Sequence, residues 1–205
     1  ICGIYGTINR KGHLSFEKFE EALSLIRHRG PDNKGSFISD DRKIFFGHRR
    51  LTIQDLSDRA NQPMFDSTKE HAIIFNGEIY NFQSIKKQLQ KAGKFFRSTG
   101  DTEVLLEAYK CWGLNFVKKL KGMFVFSIYD RKNSKIYIFR DISGEKPIYF
   151  SYENKNISFS SEIKCLLHEN PDLKEIDEFS LKKYLAFGFI PGENSKFKKI
   201  KKLET

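Results

Sequence analysis

The sequence predicts an α+β domain built from helical layers and antiparallel sheets. Three observations lead there. Short strand-like runs recur along the chain, two of them alternating, and several are separated only by turn-forming residues, as in hairpins. The helical stretches flank these runs instead of alternating with them one for one, which argues against a doubly wound parallel sheet. With 39% hydrophobic and 14% aromatic residues, the 205-residue chain can bury a sizeable core, which excludes disorder as its main state.

The first strand is expected over Cys2 to Ile8, with glycines at 3 and 6 allowing close backbone approach. A helix from Ser15 follows from the common face of Phe16, Phe19, Leu23 and Ile26, and Gly30-Pro31 is its expected stop. Gly35 to Ser39 and Lys43 to Leu51 read as strands joined through Asp40-Asp41. Ala72 to Phe75 reads as a buried strand that runs into Asn76-Gly77, a strong turn signal. Asn81 to Ala92 is helical, with Phe82, Ile85 and Leu89 inward and Gly93 as its stop. Thr102 to Trp112 is a second helix, capped by Asp101 or Thr99 and stopped by Gly113. Met123 to Tyr129 and Lys135 to Phe139 form a hairpin around residues 130–134. Pro147 to Ser151 and Asn156 to Ser160 extend the sheet. Helices over Ser161 to Leu167 and Glu178 to Phe187 close the region. Residues 1–190 are expected to form the domain, and 191–205, entered through the Gly188 to Glu193 stretch, an exit segment towards further chain.

No stretch approaches the roughly 20 apolar residues that span a bilayer, and the first residues resemble no secretion signal. Three cysteines without paired metal spacing argue against a disulfide framework or a zinc cluster. The expected location is cytoplasmic. Thirty-six Lys and Arg against 26 Asp and Glu give a net charge of +10. The lysines are scattered among acidic residues, so nucleic acid is not the expected partner. Only Lys196, Lys198, Lys199, Lys201 and Lys202 form a dense run, a weak candidate contact surface.

Four features bear on chemistry. Cys2 is either a small buried residue near a chain end or a nucleophile. As a nucleophile it requires the removal of Ile1, or an Ile1 that is a start codon written as isoleucine. The freed α-amine, with a pKa of about 7.7–8.0, then serves as the thiol's base. None of the five histidines lies in a recognisable Cys/His motif, and His28 and His48 are expected to be structural. Asn76-Gly77-Glu78 is either a tight turn or an oxyanion hole made by the Asn76 amide and the Gly77 N–H. In Gly47-His48-Arg49-Arg50-Leu51-Thr52-Ile53, an arginine at a strand end can fork onto a carboxylate or form a surface ion pair. In Ser98-Thr99-Gly100-Asp101-Thr102-Glu103, Asp101 either caps a helix or binds an ammonium group. An arginine and an aspartate together could grip both ends of a free α-amino acid. Cys111, Cys165 and Met64 are expected in the core.

Cys2-Gly3-Ile4, Arg27 to Asp32, Asn76 to Asn81 and Gly100 to Glu103 resemble the glutaminase domain of class II glutamine amidotransferases. Gly122 to Phe124, Arg140-Asp141, Lys146 to Tyr149 and Phe159 to Lys164 extend the likeness to nearly the whole chain. The Arg27–Asp32 and Asn76–Asn81 strings look most like glutamine-hydrolysing asparagine synthetase. The resemblance implies a four-layer αββα N-terminal-nucleophile hydrolase sandwich with two stacked antiparallel sheets. It implies catalysis by Cys2, Asn76 and Gly77, with Arg50 on the substrate carboxylate and Asp101, Glu78 and Gly77 on its ammonium. The backbone of Leu51, Thr52, Ile53 and Gln54 would wall the pocket. It implies L-glutamine as substrate and no metal or cofactor in this domain. ATP and magnesium are expected only in a synthetase domain, in the same or a separate chain, and a homodimer is compatible with the family. The alternatives are the glutaminase half of another class II amidotransferase, a silent glutamine-binding or regulatory module, and a charge-driven nucleic-acid binder.

Overall fold

The computed structural model describes residues 2–12, 14–53, 55 and 57–204. Its strands are β1 (Gly3–Ile8), β2 (Asn33–Ile38), β3 (Ile44–Arg50), β4 (Met64–Phe65), β5 (His71–Ile79), β6 (Gly122–Asp130), β7 (Lys135–Arg140), β8 (Tyr149–Glu153), β9 (Asn156–Ser160) and β10 (Lys201–Lys202). Its α-helices are α1 (Phe16–Ser24), α2 (Phe82–Lys91), α3 (Asp101–Trp112), α4 (Ile163–Glu169) and α5 (Glu178–Phe187). The first sheet has the order β10-β8-β9-β1-β3-β2 and the second β4-β5-β6-β7, and every pairing is antiparallel.

Strand alternation decides the layers. On β5, Ala72 and Ile74 face the first sheet and pack with Ile4, Ile44, Phe46, Val125 and Phe159 between the sheets. Ile73, Phe75 and Ile79 face outward onto Ile85 and Leu89 of α2 and Val104, Leu105 and Ala108 of α3. On the other side Tyr5 and Phe45 turn outward onto Phe19, Ala22 and Leu23 of α1 and Cys165 and Leu166 of α4. The order helix, sheet, sheet, helix is the expected αββα sandwich.

Three local expectations change. The first helix ends at Ser24, and Arg27–Arg29 form a separate 3-10 turn before Gly30. Phe16, expected on the face of Phe19, is 40% exposed; it opens the helix, and the residues of α1 that are buried are Phe19, Ala22 and Leu23. Asn76-Gly77 is no turn: β5 runs through it, with Asn76 opposite Val125 and Gly77 opposite Phe124. The β5–β6 ladder, paired from His71 to Ile79, overrides the local turn preference. Neither Thr99 nor Asp101 caps α3, whose N-cap is Gly100 with no side-chain cap. Thr99 bonds Asp55 through its N–H and hydroxyl at 2.9 and 3.0 Å, and Asp101 Oδ2 accepts the Ile79 N–H at 3.0 Å.

After Gly188, whose φ of 76° ends α5, the chain turns back along the first sheet. Phe197 and Ile200 are buried, and Lys201-Lys202 pairs with Tyr149-Phe150 of β8. No helix among the described residues is long and apolar enough to cross a membrane.

Candidate active site

The same alternation assembles the site. Ile4 of β1 and His48 of β3 are cross-strand partners facing the second sheet. Two residues earlier on one strand is Cys2, and two later on the other is Arg50, so both belong to that face. On β5, Asn76 follows Ala72 and Ile74 on the face turned to meet them. Gly77 comes next, and α3 brings Asp101 against the backbone of Ile79. Cys2, Arg50, Leu51, Ile53, Asn76, Gly77, Glu78 and Asp101 line one cavity of about 120 Å³, together with Asp55, Ala60, Gln62, Phe75, Gly100, Thr102, Met123 and Lys146. That is room for several waters or one small molecule.

Cys2 is held from two sides. Its carbonyl accepts Arg29 Nε–H at 3.1 Å, and its Sγ receives the Leu51 N–H at 3.4 Å. Burial raises the thiol pKa, the Leu51 N–H and the Arg50 charge oppose that, and Asp101 adds to it. The resting sulfur is therefore a protonated thiol that needs a base. No histidine is among the described residues lining the cavity. His48 is buried, its pKa lowered to about 4 mainly by burial, and its neutral ring donates from Nε2 to the Phe75 carbonyl at 3.0 Å. His28 lies 2.7 Å from Glu162. Both are structural, as expected.

Asn76 is 1% exposed, and neither its Nδ2 nor its Oδ1 has a hydrogen-bond partner among the described residues. An unpaired buried amide costs about 1–3 kcal/mol, so on the cavity wall it is available to water or to a ligand. Gly77 adds a donor. The Phe75 and Ile79 N–H groups bond to Gln62 and Asp101, on the edge of β5 away from β6. By the two-residue alternation, the Gly77 N–H points to that same edge. The glycine itself answers to packing: a Cβ there would meet Met123 O at 2.3 Å.

Arg50 is buried and makes no ion pair among the described residues. Its Nη1 donates to Ser57 O at 3.0 Å and Asn61 Oδ1 at 2.6 Å, and its Nη2 donates to Asp55 O. Three of its five N–H groups are thus used on its own loop, leaving at most two, one fork, for a carboxylate. Asp101 is buried, and its pKa is raised to about 6, first by burial; the Ile79 N–H opposes this and Glu78 adds to it. A ligand cation would return it to the ionised form.

Thr52 does not line the cavity, and its N–H goes to Asp32 Oδ2 at 2.7 Å. Gln54, like Ile1, lies outside the described residues. Gln62, Thr102, Met123 and Lys146 line the cavity without having been singled out as site residues. Thr102, Met123 and Lys146 lie in strings that carry the family resemblance, whereas nothing in the local sequence marks Gln62, which arrives through tertiary packing. Cys165 is buried in the core, and Cys111 packs at the edge of the α2/α3 cluster. No cluster of His, Cys, Asp and Glu fit to hold a metal ion occurs among the described residues.

A family model described as a glutamine amidotransferase domain matches residues 1–205. Among curated relatives, the asparagine synthetase [glutamine-hydrolyzing] 1 of Bacillus subtilis is 36% identical over 100% of this chain and 32% of its own length. A putative asparagine synthetase [glutamine-hydrolyzing] 2 of Methanocaldococcus jannaschii is also 36% identical, over 100% of this chain and 42% of its own. The chain thus spans about a third to two-fifths of the length of these relatives. The solved glutamine phosphoribosylpyrophosphate amidotransferase of B. subtilis superposes with a TM-score of 0.69 at 22% identity, covering 80% of this chain and 43% of that one. A second structure, described as the allosteric regulatory enzyme of purine biosynthesis, gives 0.68 at 20% identity over 82% and 43%. At those identities the likeness is one of fold.

Proposed function

Because the chain belongs to the glutamine amidotransferase domain family, related to the glutaminase domains of asparagine synthetases, we propose that it hydrolyses the side-chain amide of L-glutamine at the Cys2 cavity. The observation that carries this reading is the buried, unpartnered Asn76 amide on the wall that Cys2 shares. Arg50 forks onto the substrate α-carboxylate with its remaining N–H groups. Asp101, with Glu78 and the Gly77 backbone, holds the α-ammonium. Both ends of the amino acid are then fixed and the side-chain amide is directed at the sulfur.

The thiol proton passes to the α-amine of Cys2, which is free only when nothing precedes that residue. The sulfur bonds to the amide carbon as the C=O π bond opens. Asn76 Nδ2–H and the Gly77 N–H stabilise the oxygen's negative charge. As the C–N bond breaks, the protonated amine returns its proton to the departing nitrogen, and ammonia leaves. Water, deprotonated by the same amine, attacks the thioester, and the sulfur takes the proton back as glutamate departs.

In this reading the ammonia feeds asparagine synthesis from aspartate and ATP on a synthetase segment such as the longer relatives have length for. ATP and magnesium belong there; the Cys2 cavity needs neither. Cys2→Ala tests the assignment. It should abolish glutamate release while circular dichroism stays unchanged; turnover at the parent rate would refute it.

A further inference from the structure

Phe75, one residue before Asn76, lies on a stretch of β5 edge that has no neighbouring strand. The β4–β5 ladder stops at the Met64–Ile73 pair. Two buried side chains stand in for the missing strand. Gln62 Oε1 accepts the Phe75 N–H at 2.6 Å, and His48 Nε2 donates to the Phe75 carbonyl at 3.0 Å. Gln62 Nε2 also donates to Thr102 Oγ1 of α3 at 3.3 Å. An N–H on one side of the Gln62 amide fixes which of its atoms is the oxygen. The backbone at Phe75 is therefore tied to the first sheet through His48 and to α3 through Gln62. The Asn76 side-chain atoms have no partner among the described residues, and the Asn76 backbone is paired on one edge only, with Val125 of β6. On the opposite edge, where the Gly77 N–H points, the hold on the strand just before Asn76 is the one at Phe75.

We propose that Gln62 is a positioning residue for the oxyanion pair: it holds the Phe75 backbone so that the Asn76 amide and the Gly77 N–H converge on one oxygen. This rests on the amidase reading above. Gln62→Leu removes both of its hydrogen bonds at similar volume. Gln62→Glu keeps an oxygen for the Phe75 N–H, and the Thr102 hydroxyl can rotate to donate to the other oxygen. The assay uses the chain that begins at Cys2 and measures kcat and KM for glutamate release. It also measures affinity for two ligands. Glutamate forms no oxyanion. The γ-aldehyde analogue of glutamine does: the sulfur bonds to its carbonyl carbon, the π bond opens onto oxygen, and the thiol proton moves to the amine.

Gln62→Leu should lower kcat by about 10- to 100-fold. Affinity for the aldehyde should fall in parallel, while KM and affinity for glutamate stay within about threefold. Gln62→Glu should recover most of both losses. If Gln62→Leu does not fold, Gln62→Asn, one methylene too short to reach Phe75, is read the same way. Parent-like kcat and aldehyde affinity in the loss variants would overturn this proposal alone. So would an equal loss of affinity for glutamate and aldehyde. A parent chain inert towards glutamine would overturn the amidase reading and this proposal with it.

Discussion

Asn76 and Asp101 are both buried at a cost to the protein alone, although Asp101 Oδ2 recovers part of it by accepting the Ile79 N–H. Asn76 buries an amide without partners, and Asp101 buries a carboxyl that ionises only near pH 6. Stability given up at a binding site is a common trade. Asn76→Ala should therefore leave the melting temperature unchanged or raised, while kcat for glutamine falls about 10²–10³-fold. Steady-state kinetics beside a thermal melt check both halves. For Asp101 the sign follows from the raised pKa. Between its ordinary 3.8 and about 6 the native chain holds a proton that the unfolded chain has lost. Asp101 thus contributes stability at low pH that is lost as the pH rises through 6. Asp101→Asn should stabilise the ligand-free protein at pH 7 by up to about 3 kcal/mol and sharply raise the KM for glutamine. In the parent, KM should climb about tenfold per pH unit below 6, where the ammonium meets a neutral carboxyl. Urea melts and a pH–KM profile read these effects.

At the scale of the element, β5 decides the site. Asn-Gly is strong local punctuation, and taken alone it favours a turn there over an oxyanion hole. The ladder with β6 settles the backbone, with Gly77 so close to it that a Cβ would strike Met123 O. Gly77→Ala should cost about 1–3 kcal/mol, seen as an earlier denaturation midpoint, and remove activity with it. What could be read beforehand follows from periodicity. The short apolar strands β1 and β3, the apolar stripe of α2 and its Gly93 stop are local patterns, and they fall where the sequence puts them. Gln62 and His48 could not be read that way, because their partners are backbone groups of Phe75, 13 and 27 residues away. The caps expected at Thr99 and Asp101 failed for the same reason: Asp55 and Ile79, brought in by the fold, compete for those groups.

At the scale of the whole molecule, the net charge of +10 includes lysines that are engaged within the chain. Within the basic run near the end, Lys198 reaches Glu175 at 2.5 Å, Lys199 reaches Glu153 at 3.0 Å, and Lys202 Nζ donates to Ile190 O at 2.5 Å. These lysines fasten the returning chain to the domain. Filter binding with duplex DNA near physiological salt should show no retention. In the proposed reading, the two sheets bring one sulfur to an oxyanion site with no histidine among its described lining residues, and the nucleophile's own amine is the base. The direct measurement compares two preparations, one beginning at Cys2 and one retaining Ile1, each mixed with glutamine, acid-quenched and assayed for glutamate and for acyl adduct by mass. The account predicts glutamate and a Cys2 adduct from the first and neither from the second. Equal turnover by both would contradict it.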